Sequence, residues 1–176
     1  LSALSTLEFL PPEQRWRDIS PLLVDHVKAV RLEAVRLLLP SSNPVHRQEL
    51  QKYLPDYMAS LRVNEDSPNG QLNLGQAYLA QGLYPQAEQA FKHALRLDQL
   101  NGAGFVNLAD SYRMQGREAE ALRVLTEGAN QITENAALLH GLGLAQIRNQ
   151  QAEMALDSLR RAALLAPGNS RFSYVY

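Results

Sequence analysis

The 176-residue chain has no cysteine, which excludes disulfides, thiolate nucleophiles, iron–sulfur clusters, Cys-ligated zinc and covalently attached haem from these residues. A protein without thiols suits either side of a membrane, so the redox compartment stays open. No run of about 18 apolar residues occurs, and no membrane-spanning helix is expected. No sign of charge prevails: 17 Lys and Arg face 18 Asp and Glu, split 8 to 9 over residues 1–66 and 9 to 9 over 67–176. With that balance, neither nucleic acid nor an anionic membrane surface is an expected partner. β-branched residues are scarce, with 9 Val, 3 Ile and 3 Thr against 31 Leu and 22 Ala. The ratio favours helix over strand, and an all-α fold without sheet is expected.

What the chain does have is repetition. A shift of 34 residues lays Leu74-Gly75 on Leu108-Ala109 and Leu142-Gly143, Ala87 on Ala121 and Ala155, and Phe91 on Leu125 and Leu159. The same shift lays Ala94 on Gly128 and Ala162, and Asn101 on Asn135 and Asn169. Large residues recur where a helix must fill a gap, and small ones where two helix backbones must come close. Polar breaks at Gln81-Gly82, Gln115-Gly116 and Asn149-Gln150 divide each unit into two helix-period stretches. A pair of such helices cannot bury its apolar faces alone, so neighbouring pairs must stack into a solenoid.

The motif Leu74-Gly75-Gln76-Ala77-Tyr78, followed by Ala87, Phe91 and Ala94, resembles the tetratricopeptide repeat. Three copies are expected, at 68–101, 102–135 and 136–169, and the resemblance implies a right-handed α-solenoid. Three departures stand out: Gln71 sits where an aromatic is usual, Gln146 replaces the tyrosine of Tyr78 and Tyr112, and only Pro167 keeps the closing proline.

Residues 1–40 do not fit that template. Pro11-Pro12 and Pro21 mark turns or helix starts around a segment from Glu13 to Leu23. After Asp25-His26, the stretch Val27–Leu38 puts Val27, Val30, Ala34, Leu37 and Leu38 on one face. Its Val-Arg then Glu-Ala pattern resembles a HEAT-type repeat, and Leu1–Leu4 echoes Leu32–Val35 at a shift of 31. Residues 41–67 read as a linker at Pro40–Pro44 and a capping helix over 45–63, kinked or restarted at Pro55. Residues 170–176 read as a truncated cap or the start of a further repeat. The chain, starting without Met or a basic leader and ending in an amphipathic stretch, reads as a piece of a longer protein.

No catalytic constellation is legible. His26, His46, His93 and His140 lack zinc-ligand spacing, so no metal or other cofactor is expected. Gly102-Ala103-Gly104 and Gly141-Leu142-Gly143 imitate part of a phosphate loop without a preceding strand, and helix packing accounts for Gly143. Glu118, Glu120 and Glu127 read as solvated charges, and Trp16 and Tyr53 as core aromatics at helix junctions.

In tetratricopeptide arrays the first helix of each pair lines a concave face that holds peptides. Carried onto this sequence, the resemblance turns Leu72, Asn73 and Gln76, then Val106, Asn107 and Asp110, then His140, Gly141 and Leu144 towards that groove. Arg113 and Arg148 stand farther along, able to meet an acidic side chain. An amide can hold both the N–H and the C=O of a peptide bond, and Asn73 with Asn107 resembles the asparagine ladder of O-linked N-acetylglucosamine transferases. Leu72, Ala137 and Gly141 occupy positions where a carboxylate-clamping array carries Lys or Arg, which disfavours a clamp of that kind.

The expected function is therefore a non-catalytic module binding an extended peptide or protein segment. The order of repeats is also similar to the tail of some bacterial multihaem cytochrome c-type proteins. That similarity implies an alternative, an internal scaffold docking onto an absent enzymatic or haem domain, and a periplasmic rather than cytoplasmic setting. Self-association through Phe172–Tyr176 is a third expectation.

Overall fold

The computed structural model describes residues 6–170 and 172. Ten α-helices and two short 3-10 turns make up the described residues, with no strand, so the class is all-α. The chain divides into two units, residues 1–64 with 80–82 and residues 65–79 with 83–176.

The first unit opens with a 3-10 turn, Thr6–Phe9, and helix α1, Pro12–Ile19. Pro12 starts α1 where its missing N–H costs nothing. A 3-10 turn, Ser20–Val24, follows, with Pro21 in its first turn. Asp25 then accepts the Val27 N–H at 2.7 Å, and Arg31 donates to the Asp25 carbonyl at 2.7 Å, which sets the start of α2, Lys28–Leu38. Helix α2 buries Ala34, Val35, Leu37 and Leu38. Val27, expected on this buried face, is the N-cap residue and is exposed; Val35 is buried instead.

The Asn43 side chain caps α3, Pro44–Leu50, by accepting from Val45 at 3.0 Å. Pro55 falls in the first turn of α4, Leu54–Arg62, so it restarts the helix and does not kink it. Trp16 of α1 and the buried His46 of α3 lie face to face, with ring centroids 3.8 Å apart and planes within 1°. Ser41 Oγ sits 3.0 Å from His46 Nδ1. The echo at Leu1–Leu4 lies outside the described residues, apart from the copy at Leu32–Val35.

The second unit holds three helix pairs: α5, Pro68–Ala80, with α6, Tyr84–Leu97; α7, Gly102–Met114, with α8, Glu118–Gln131; and α9, Ala136–Arg148, with α10, Ala152–Leu165. Each pair turns through a left-handed residue, Gly82 at φ 75°, Gly116 at φ 72° and Gln150 at φ 60°. Glycine takes that conformation freely, whereas Gln150 carries its strain.

Asn101 and Asn135 cap the helices that follow them, accepting the Gly104 and Leu138 N–H groups at 3.0 Å each. Ser67 does the same for α5, accepting from Gly70 at 3.0 Å. The recurrent small residues are explained by contact. A Cβ on Gly75 would overlap the Phe91 ring, and one on Gly143 would lie 2.6 Å from Leu159 Cγ. Phe91, Phe105, Leu108, Tyr112, Val124, Leu125 and Leu138 belong to the core these pairs share.

The two glutamines at aromatic positions are both buried and both bonded. Gln71 donates to the Glu65 carbonyl at 2.7 Å, and Gln146 accepts from Ser158 Oγ at 2.8 Å.

Candidate groove

Helices α7 and α9 flank a cavity of about 420 Å³ on the second unit. Val106, Asp110 and Arg113 reach it from α7, and His140, Gly141, Leu144 and Arg148 from α9. Five residues transferred from the repeat register, with the two arginines expected farther along, therefore share one hollow. Ala109, Leu125, Ala137, Asn169 and Phe172 complete its lining. Phe172 was legible as a repeat position, because the shift of 34 lays it on the buried Leu138. Apolar side chains form most of the surface, and Gly141 keeps it open: a Cβ there would sit 3.3 Å from Leu125 Cδ2 and 4.0 Å from Val106 Cγ2.

The remaining candidates lie elsewhere. Asn73 and Gln76 are exposed on α5, Leu72 and Asn107 are half-buried, and none of the four lines this cavity. Leu72 packs against the shared core.

Arg113 and Arg148 already meet acidic side chains of this chain: Arg113 Nε lies 3.1 Å from Asp110 Oδ1, and Arg148 Nε 2.9 Å from Glu118 Oε2. His140 is buried, with its ring 4.6 Å from that of Phe172, so it forms wall more than rim. Glu118 and Glu120 are not merely solvated, since Glu120 pairs with Arg117 as Glu118 does with Arg148. Phe172, expected to offer unpartnered apolar surface, is buried; residues 173–176 of that expectation lie outside the described residues.

Glu88 anchors a polar network between pairs. Its carboxylate accepts from Lys92 at 2.7 Å, Arg117 at 2.9 Å and Tyr112 at 3.0 Å. Burial opposes its charge, but the three donors outweigh burial and hold its pKa below the ordinary glutamate value. The Arg117 guanidinium also lies 4.2 Å over the Tyr112 ring. Among the described residues no group of His, Asp and Glu is arranged to hold a metal ion, and no helix is long and apolar enough to cross a membrane.

Comparison with known proteins gives the repeats a name. Residues 68–101 match one tetratricopeptide repeat model and residues 102–126 a second. No curated protein matches the chain in sequence. Among solved structures it is similar to TTC0263, a thermophilic protein of Thermus thermophilus, at TM-score 0.60 and 17% identity, covering 94% of this chain and 84% of that one. YrrB is similar at TM-score 0.56 and 17% identity, over 99% of this chain and 86% of its own. The first tetratricopeptide domain of Spaghetti (RPAP3), solved with an HSP90 peptide, is similar at TM-score 0.56 and 20% identity, over 63% and 88%. At such identities the likeness is one of fold. The chain thus carries tetratricopeptide repeats, at residues 68–101 and 102–126, within an α-solenoid of helix pairs.

Proposed function

We propose that the chain is a non-catalytic interaction module whose second unit holds an extended peptide or protein segment along the first helices of its pairs. The observation that carries this reading is the hollow between α7 and α9, an apolar surface kept open by Gly141 and bordered by polar groups. Two neighbours support it: RPAP3 was solved with an HSP90 peptide, and YrrB is described as having an unusual peptide-binding site. The arginines at the border are already neutralised by Asp110 and Glu118, so a partner meets mostly apolar surface in the hollow, with the backbone-reading amides Asn73 and Asn107 outside it. Asn73 and Asn107 would each add about 1 kcal/mol net by bonding a partner's backbone. Affinity then depends on an apolar side chain seated between Val106 and Leu144.

The test starts from a peptide selected from a random library on the immobilised chain. Gly141→Leu projects a side chain into the hollow and should weaken that peptide at least about tenfold, while Asn73→Ala with Asn107→Ala weakens it less. Unchanged affinity in Gly141→Leu, with an unaltered circular dichroism spectrum, would sink the reading.

A further inference from the structure

A second cleft, of about 500 Å³, lies on a different face of α7, between the second helices of adjacent pairs, α6 and α8. Phe105 and Tyr112 belong to its floor. Lys92 and Arg96 stand on the α6 wall, and Arg123 and Glu127 on the α8 wall. Three cations thus meet one carboxylate, on a chain whose net charge is −1. The cations differ in availability. Lys92 is held by Glu88 at 2.7 Å, whereas Arg96 and Arg123 are exposed and in no ion pair among the described residues. The peptide groove presents the opposite case, because both of its arginines are paired.

We propose that this cleft is a second binding site, for an acidic protein segment carrying an apolar residue. Carboxylates of the segment pair with Arg96 and Arg123, and its apolar side chain rests against the half-buried Leu95. Forked guanidiniums suit carboxylates, which can accept two parallel hydrogen bonds from one arginine. A nucleic acid is the poorer occupant, because the only aromatics among the described residues lining the cleft, Phe105 and Tyr112, are buried and offer no face for stacking on bases. The site is independent of the groove, since the two share no lining residue.

The probe is a fluorescein-labelled peptide, Gly-Ser-Glu-Glu-Leu-Glu-Glu-Phe-Glu-Glu-Gly-Ser, followed by anisotropy. Arg96→Glu with Arg123→Glu should weaken binding about tenfold or more, and raising NaCl from about 50 to about 300 mM should weaken it further. Gly141→Leu should leave it unchanged, and a probe with Lys for Glu should not bind. Both arginines are exposed, so a matched melting curve for the double variant shows that folding is retained. The proposal is overturned if the acidic probe binds the double variant as well as the parent, if Gly141→Leu abolishes its binding, or if labelled oligothymidine binds more tightly and loses that binding in the double variant.

Discussion

Gln146 of α9 accepts a hydrogen bond from Ser158 of α10 at 2.8 Å, and both side chains are buried. The pair stands where the preceding repeat uses Tyr112, whose hydroxyl reaches back to Glu88. One repeat ties itself to its neighbour through a phenol, and the next closes a bond within its own hairpin. Ser158→Ala leaves the Gln146 oxygen buried without that donor and should cost about 1–3 kcal/mol in urea unfolding. Adding Gln146→Leu removes the stranded group, so the double variant should be more stable than Ser158→Ala alone.

Gly75 and Phe91 form a matched pair of a different kind. Gly75→Ala drives a methyl into the Phe91 ring and should destabilise by about 1–3 kcal/mol. The second repeat carries Ala109 and Leu125 at the equivalent positions. Phe91→Leu introduced with Gly75→Ala should therefore recover part of the loss, measured as a denaturant midpoint at constant m.

Stability should fall in acid through Glu88. Its folded pKa lies below the ordinary value, so the unfolded chain takes up the proton first as pH drops. The stabilisation is complete above the usual glutamate range, about pH 4.3, and is lost as pH falls through the lower folded value. Glu88→Gln should cost on the order of 1–2 kcal/mol at neutral pH and flatten the acid limb of the stability profile. An unchanged limb would show that other carboxylates govern it.

Gln150 holds φ 60° at a turn where the two earlier repeats use glycine. Gln150→Gly relieves the left-handed strain and should raise the melting temperature, with a gain of about 1 kcal/mol offset in part by a freer unfolded chain. Gly116→Ala should do the reverse, since its φ of 72° gives a Cβ the same strain although nothing crowds it.

The repeat made the helix pairs and their turns legible because burial imposes one residue size at one position three times over. Gly75 against Phe91 is readable in that way. The ion pairs were not, because Arg148 and Glu118 lie 30 residues apart on exposed faces where no period constrains the residue type. The Trp16 and His46 stack escaped for a related reason: it joins α1 to α3 in a stretch that has no second copy to compare. In the groove, the transferred residues of α7 and α9 did come together, whereas the amides Asn73 and Asn107 stand outside the described hollow. Register tells which helix face a residue occupies and leaves open how far its side chain reaches.

Asn101 and Asn135 close one sequence unit but begin the next helix, and Ser67 stands before the first. The module that can be cut and moved is therefore offset by one residue from the module that repeats. A fragment trimmed to start at Gly102 loses the acceptor for its own Gly104 N–H, while one that starts at Asn101 carries it along. Shuffled or shortened arrays of these hairpins should be joined on the amino-terminal side of each asparagine, so that every hairpin brings its own first hydrogen bond.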